Sequence, residues 1–234
     1  MTQKIMELSS LLNNIGEVLD IPESMYIEAK DRYNAVGNWL SADESELKQY
    51  SPEIYPQGSF RLGTVIKPLD REEYDVDLVC FLSNLSSFDI AQSELKKIVG
   101  DRLKVNGTYK KILLPEGRRC WTLDYANEFH MDILPSIADI DLRVKGGYYR
   151  HAILITDQEK IREGGFEWLG SNPRGYAEWF AKCQEKIFKK SRLALMEAAQ
   201  LKDIEDIPEY RVRTPLQRTI QLLKRHRDIY FKEK

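Results

Sequence analysis

The sequence predicts an α+β fold, in which helices at both ends flank a mixed or antiparallel sheet. Apolar residues recur at helical spacing in the first 50 residues, at strand-like spacing in the middle, and at helical spacing again after residue 172. Such segregated runs of helices and strands are typical of the α+β class. We expect three parts, namely a helical segment over 1–50, a central core over 51–170 and a second helical segment over 171–234.

Two helices are predicted at the N-terminus, and Pro22 separates them. Their apolar faces consist of Ile5, Leu8, Leu12, Ile15 and Leu19, and of Tyr26, Ala29, Tyr33, Val36 and Leu40. The polar stretch 41–46 ends the second helix. Both helices therefore offer one face to a core.

The central part alternates between strands and a helix. Strands are predicted over 53–57, 74–82, 109–114, 118–125 and 129–134, with an amphipathic helix over 89–103. Short turns join the last three strands, and they predict an antiparallel meander. Two further helices follow over 173–199 and 215–230.

Composition excludes several classes of protein. The formal net charge is −2, with 35 basic and 37 acidic residues, so no global basic field is present to bind an extended duplex. The three cysteines lack the spacing of a zinc site or a disulfide framework. Without a long apolar segment or a signal sequence, the chain is expected to be cytoplasmic and not to span a membrane.

Asp75 and Asp77 stand in an otherwise apolar strand, "YDVDLVC". Alternate residues of a strand share a face, so both carboxylates point the same way. Two close carboxylates repel each other unless a cation neutralises them, and oxygen ligands suit Mg²⁺ or Mn²⁺. The pair therefore indicates a divalent-metal site, and the alternative is a solvated edge strand whose acids face water.

A third acid, Asp132, lies in "FHMDILP" between apolar residues, where a charge is costly unless it is paired or bound to metal. Asp124 in "WTLDYA" is the competing candidate. We favour Asp132 because it precedes Pro135, which is expected to mark the end of its strand. His130 shares the face of Asp132 and is interpreted either as its partner or as a satisfied core histidine.

Gly58 and Ser59 lie just before the metal-binding candidates. Glycine lets the backbone approach a ligand closely, and the residues that follow can begin a helical turn whose free N–H groups bind an anion. An ordinary turn is the alternative. In the last helix, Lys224 lies opposite an apolar stripe, so it is predicted to reach a phosphate as a point charge or to be a solvated lysine.

Together these motifs resemble the polymerase β-like nucleotidyltransferases. Within that superfamily, "QGSFRLGT", "YDVDLVC", "SNPRGYAEWF" and "LQRTIQLLKRHRD" closely resemble the bacterial cGAS/DncV-like enzymes, the CD-NTases with a SMODS-type core. The resemblance runs from about Tyr55 to the C-terminus. It makes the 51–170 segment the nucleotidyltransferase core and 171–234 the start of a helical lobe.

The resemblance implies a role for each carboxylate. Asp75 and Asp77 would bind two Mg²⁺ or Mn²⁺ ions, and one of these ions would hold the donor triphosphate. Asp132 would bind the other ion and help to deprotonate the acceptor ribose hydroxyl.

The resemblance also implies how the nucleotide is held. Gly58 and Ser59 would hold the β- and γ-phosphates, and Gln57 would approach the nucleotide. Lys224 would contact a donor phosphate.

Enzymes of this kind join NTPs such as ATP and GTP into cyclic or linear oligonucleotide second messengers in antiphage (CBASS-type) defence, together with accessory proteins. Nucleotidyl transfer to RNA or protein, and an inactive nucleotide-binding scaffold, remain as alternatives. The modest charge disfavours RNA, and three intact acids disfavour a scaffold. Because family members continue into a further helical half, the C-terminal helical part is expected to be incomplete here.

Overall fold

The computed structural model describes residues 11–12, 14–69, 73–126, 128–184 and 213–232. It has a six-stranded mixed sheet flanked by helices, so the predicted α+β fold is confirmed. Residues 14–19 are helical, and the rest of the predicted first helix lies largely outside the described residues.

The sheet has the strand order β1-β2-β4-β5-β6, and β3 pairs with β4 beside this path. Its strands are β1 (Pro52–Pro56), β2 (Tyr74–Ser86), β3 (Trp121–Tyr125), β4 (Phe129–Ala138), β5 (Ile153–Ile155) and β6 (Leu169–Ser171). β2 and β4 run parallel, and the remaining pairs are antiparallel. β2 lies between β1 and β4, and β1 pairs with it from Leu78 onwards.

The helices lie around this sheet. They are α1 (Glu23–Ser41), α2 (Gly58–Leu62), α3 (Gln92–Val105), α4 (Tyr109–Ile112), α5 (Ile140–Arg143), α6 (Gln158–Arg162), α7 (Pro173–Gln184) and α8 (Pro215–Lys232), with 3₁₀ turns at Lys48–Tyr50 and Gly147–His151. No helix in the described part of the chain is long and apolar enough to cross a bilayer.

One face of the sheet forms the main hydrophobic core. Val76, Leu78 and Cys80 of β2 are fully buried there, and Met131 and Ile133 of β4 lie beside them. The apolar stripes of α1 and α3 belong to the same cluster. The other face of both strands carries the aspartates in its first part and a smaller buried cluster, which includes Val79 and Leu134, further along.

A column of aromatic rings connects α1, α2 and the sheet. Tyr26 stacks on Phe60, and Phe60 stacks on Tyr74, with ring centroids 5.5 and 5.8 Å apart. Tyr74 stacks on Phe129, its partner in the β2–β4 ladder, at 5.4 Å. These contacts fix α2 against the first residues of β2 and β4, where the aspartates lie.

The predicted meander is only partly correct. β3 and β4 form the expected antiparallel pair, but residues 109–112 form a helical turn instead of a strand. The side-chain oxygen of Asn106 accepts hydrogen bonds from the N–H groups of Thr108 and Tyr109, at 2.9 and 3.1 Å, and this local capping starts the turn. The two three-residue strands β5 and β6 were not predicted.

The predicted helix over 173–199 begins at Pro173 as expected, and its described part ends at Gln184. Asn172 stabilises this start, because its side-chain oxygen accepts a hydrogen bond from the N–H of Gly175 at 3.0 Å. The second half of that prediction lies outside the described residues. The last predicted helix is observed as α8.

Candidate active site

The three predicted metal ligands lie on one face of the sheet. In the parallel β2–β4 ladder, Asp77 is directly opposite Asp132, and Asp75 is opposite His130. Partners in a ladder point to the same face, so the carboxylates of Asp75, Asp77 and Asp132 converge. The structure thus brings together side chains from positions 75, 77 and 132 of the sequence.

Asp124 lies on the same face but one strand further from β2. It pairs with His130 in the antiparallel β3–β4 ladder, whereas Asp132 is on the strand adjacent to β2. The reason given for preferring Asp132 was wrong, because β4 continues through Pro135 to Ala138. On the side of β4 that faces away from β2, β3 pairs with β4 only up to Ile133, and β5 pairs with it only from Ser136. Pro135 lies between these two ladders, so its missing N–H leaves no hydrogen bond unmade on that side.

The carboxylates repel one another, and this repulsion contributes to the raised pKa values of Asp75 and Asp77. Burial, together with the charges of Asp132 and Asp75, raises the pKa of Asp77 to about 6. Burial and Asp132 also raise the pKa of Asp75. Both shifts are those of acids that lack a sufficient neutralising charge among the residues that the structure describes.

Gly58 lies directly against Asp77. The Gly58 backbone has φ +60°, and a Cβ atom at this position would lie 2.2 Å from Oδ2 of Asp77. The N–H of Gln57 donates a hydrogen bond to the carbonyl oxygen of Asp77 at 2.9 Å, which fixes the start of α2 beside β2. The predicted helical turn is therefore present, and its first N–H groups have no intrahelical acceptor. Ser59 occupies the second position of this helix.

Lys224 reaches the same region from α8. Its Nζ donates a hydrogen bond to the carbonyl oxygen of Thr64 at 3.1 Å. Burial lowers the pKa of Lys224, and the nearby Asp77 acts in the opposite direction. Lys224 is thus a partly buried cation that interacts with the carboxylate face, and the fully solvated alternative is wrong.

The polar face of α8 packs against the segment that follows α2. Gln217 donates to the carbonyl oxygen of Leu62 and Gln221 to that of Val65, both at 2.8 Å. Together with Lys224, these side chains hold the segment that follows α2. Sequence reasoning missed this packing, because three polar residues on one helix face usually indicate solvent.

His130 is not a core histidine, because its side chain is about one-third exposed. Its Nε2 lies 3.1 Å from Oε2 of Glu73 and 3.8 Å from Oδ1 of Asp124. One ligand atom from each of these three residues lies within 4.8 Å of the others, so the group is chemically able to hold a metal ion. Glu73 was not among the predicted site residues.

Thr122 and Cys120 of the β3 region also belong to the site face and were missed from the sequence. Thr122 is the ladder partner of Asp132, and its hydroxyl donates to Oδ1 of Asp132 at 2.5 Å. Burial, with Asp132 and Asp77, raises the pKa of the Cys120 thiol to about 12. Cys120 therefore stays neutral at physiological pH.

The donor set fits a hard divalent cation. Three carboxylates that converge on one face offer only oxygen ligands, as Mg²⁺ and Mn²⁺ prefer. Because Gly58 has no side chain, its backbone packs against Oδ2 of Asp77 without a clash. A mixed sheet with such carboxylates next to a Gly-Ser helix start defines a nucleotidyltransferase core.

The comparisons with known proteins agree with this class. Residues 52–135 match the family model described as "Cyclic GMP-AMP synthase DncV-like, nucleotidyltransferase domain". The matched segment runs from β1 into β4 and includes all three carboxylates. The chain therefore carries a nucleotidyltransferase domain of the bacterial cGAS/DncV-like family, and the predicted resemblance is confirmed.

Two curated relatives cover nearly the whole chain. The "c-di-GMP synthase" of Roseivirga ehrenbergii is 34% identical over 226 residues, which is 96% of this chain and 55% of the relative. The "Cyclic dinucleotide synthase CdnG" of Bradyrhizobium diazoefficiens is 26% identical over 238 residues, covering 96% of this chain and 54% of the relative. The chain thus spans about half the length of the curated relatives it matches.

The fold also matches a solved structure. The Bradyrhizobium diazoefficiens CD-NTase CdnG in complex with GTP superimposes with a TM-score of 0.61 and 22% sequence identity. The match covers 96% of this chain and 64% of that chain. At this identity the likeness concerns the fold.

Proposed function

We propose that this chain forms the nucleotidyltransferase part of an enzyme that joins NTPs into a cyclic oligonucleotide second messenger. The observation that carries the proposal is the convergence of Asp75, Asp77 and Asp132 next to Gly58 and Ser59. The raised pKa values of Asp75 and Asp77 support it, because an anionic face without sufficient neutralisation favours a bound cation.

Asp75, Asp77 and Asp132 would hold two Mg²⁺ or Mn²⁺ ions. When bound, such ions stabilise the charge on the attacking and leaving oxygens of an in-line phosphoryl transfer that releases pyrophosphate. Asp77 and Asp132 face each other across adjacent strands, so one rigid ladder sets the spacing of the carboxylates. No loop movement is needed to bring them together.

The remaining site residues bind the donor. The N–H groups at the start of α2 and the Ser59 hydroxyl would donate to the β- and γ-phosphates, and Gln57 lies just before them. Lys224 would exchange its contact with the Thr64 carbonyl for a phosphate oxygen. These groups orient the triphosphate and do not take part in proton transfer.

We propose GTP as a substrate and a cyclic dinucleotide as the product. A relative that is 34% identical is named c-di-GMP synthase, and the solved relative CdnG is in complex with GTP. A role in antiphage (CBASS-type) defence, with accessory proteins as partners, follows from the family resemblance.

The test is incubation of the chain with labelled ATP, GTP, CTP or UTP and Mg²⁺ or Mn²⁺. Phosphatase treatment and chromatography then separate resistant cyclic products from unreacted nucleotide. We expect a phosphatase-resistant product from GTP that is absent with Asp77→Asn. Label that becomes attached to RNA or protein would instead favour transfer to those acceptors, and bound but unconverted nucleotide would favour a scaffold.

A further inference from the structure

Thr122 makes a contact with Asp132 that neither the family resemblance nor the comparisons assign. The Thr122 Oγ1 lies 2.5 Å from Oδ1 of Asp132, and the two residues are ladder partners on β3 and β4. Both are partly buried on the site face. The hydrogen bond is therefore formed in the same row of the sheet that holds Asp77.

The geometry of this contact restricts the Asp132 carboxylate. Threonine is β-branched and has few χ1 rotamers, so its hydroxyl has a well-defined direction. A hydroxyl has one proton to donate, and Thr122 donates it to Oδ1. Among the described residues no other hydrogen bond to Asp132 is found, so Oδ2 keeps its lone pairs available for a cation.

An ordinary cross-strand pair would also place a hydroxyl opposite a carboxylate. The position of the Thr122 hydroxyl argues for a role in the site, because Asp132 lies between Thr122 on one side and Asp77 on the other. Repulsion by the Asp77 carboxylate pushes the Asp132 side chain towards β3, and the hydrogen bond from Thr122 holds one carboxylate oxygen on that side. The only described donor in that position is the Thr122 hydroxyl.

We propose that Thr122 is a positioning residue for the proposed nucleotidyl transfer. Its hydroxyl holds the Asp132 carboxylate in the orientation that binds a divalent ion. The inference rests on the proposed function and adds to its site a residue from a third strand. Groups that hydrogen-bond to metal ligands orient them, and their loss typically costs about 10- to 100-fold in metal affinity or activity.

The experiment compares Thr122→Val, which keeps the shape and removes the hydroxyl, with Thr122→Ser, which keeps the hydroxyl. Ser136→Ala is the matched control. Ser136 lies on the same strand and face as Asp132, and its buried hydroxyl has no hydrogen-bond partner in the described part of the chain. Melting temperature checks that each variant is folded.

Two readouts are measured for each variant. Electron paramagnetic resonance gives the affinity for Mn²⁺ without nucleotide, and the ion that is lost in Asp77→Asn is assigned to the carboxylates. Product formation gives kcat and the KM for GTP. For Thr122→Val we expect about 10- to 100-fold weaker Mn²⁺ binding and lower kcat with little change in KM. Thr122→Ser is expected to retain most of the Mn²⁺ affinity and most of the kcat of the parent. Ser136→Ala is expected to equal the parent in both quantities.

The outcomes separate the inference from the function on which it rests. If the parent makes product and Thr122→Val matches it in kcat and in Mn²⁺ affinity, the role of Thr122 is wrong and the proposed function stands. If the parent makes no product but Thr122→Val alone loses Mn²⁺, the positioning role stands and the proposed function is wrong. Equal losses in Thr122→Val and Thr122→Ser would show that the hydroxyl is not responsible.

Discussion

Asp157 lies just before α6 with its side chain fully buried, whereas Asp77 is partly buried on the site face of β2. Asp157 Oδ2 accepts hydrogen bonds from Nε of Arg118 and Arg119, at 2.8 and 3.0 Å. Burial opposes its ionisation, but these bonds and two backbone N–H groups outweigh it and lower the pKa of Asp157 to about 2.

Asp77 has the opposite surroundings. Among the described residues no side chain forms a hydrogen bond or an ion pair with its carboxylate, and its charged neighbours include Asp132 and Asp75. Lys224 offsets only part of this repulsion, and the pKa of Asp77 remains raised to about 6. The less buried of the two acids is therefore the harder one to ionise.

The difference teaches which charges the fold itself neutralises. The two arginines and the N–H groups at the start of α6 donate hydrogen bonds to the carboxylate of Asp157. Asp157 therefore stabilises the fold, and its oxygens are not available to a ligand. Among the described residues Asp77 has no such side-chain partners, and Gly58 packs directly against its Oδ2. We therefore expect mutation of Asp157 to affect stability and mutation of the carboxylate face to affect activity.

The largest effect is expected from Asp132→Asn, at least ~100-fold in kcat with nearly unchanged binding of a non-hydrolysable triphosphate. Asp132 is adjacent to Asp77, whereas Asp124 contacts His130, so Asp124→Asn should change the rate little. Single-turnover kinetics on both variants measure this. Loss of turnover in Asp124→Asn alone would mean that the third acid is on β3.

Asp157→Ala is expected to lower the free energy of unfolding by roughly 2–3 kcal/mol. The variant removes a helix cap and two charge-assisted hydrogen bonds, although Arg118 and Arg119 regain water because each is about half exposed. Urea denaturation measures the change, with Asp141→Ala on the exposed part of α5 as a control. A loss no larger than that of the control would contradict the role given to Asp157.

The two acids should also give opposite dependences of stability on pH. Because the pKa of Asp77 is raised from 3.8 to about 6, the folded state binds this proton more tightly, and stability is lost as the pH rises between these values. Asp77→Asn has no carboxylate to ionise at this position. Its free energy of unfolding should therefore exceed that of the parent by roughly 1–3 kcal/mol at pH 7.5 and equal it near pH 4. Thermal unfolding at both pH values measures this difference.

Asp157 has a lowered pKa, so its stabilisation is complete above its ordinary pKa of 3.8 and is lost only as the pH falls towards about 2. The same unfolding series, extended to acid, should show this loss in the parent and not in Asp157→Ala. An Asp77→Asn variant that is less stable than the parent at pH 7.5 would refute the assignment of an unneutralised carboxylate.

The smallest effect is expected from Lys224→Gln. Lys224 is the described cation that lowers the pKa of Asp77, so its loss should weaken binding of the GTP donor by about 5- to 10-fold and leave kcat nearly unchanged. Arg227→Gln removes a positive charge from the exposed side of the same helix and is the control. Equal changes in both variants would indicate a long-range charge effect instead of a contact.

Much of the site could be predicted from the sequence because strands alternate. The common face of Asp75 and Asp77 follows from their spacing alone, and a costly charge between Met131 and Ile133 pointed to Asp132. The ladder register could not be predicted, because it depends on contacts between distant segments. Pro135 suggested a strand end that does not exist.

The contacts of α8 and the turn at 109–112 were missed for physical reasons too. The glutamines of α8 bond to carbonyl groups of the segment after α2, and nothing in their own helix reveals those partners. The turn depends on one side-chain cap from Asn106, which competes with a strand-like pattern of apolar residues. Both cases depend on hydrogen bonds instead of hydrophobic periodicity.

The central claim is that Asp77 is left without a sufficient partner so that a cation and a nucleotide can bind. The most direct test is the melting temperature with Mg²⁺ and a non-hydrolysable GTP analogue, for the parent and for Asp77→Asn. At concentrations near 100 Kd, the parent should gain about 5–10 °C, and Asp77→Asn should gain less than half of that. An equal gain in both proteins would contradict the account.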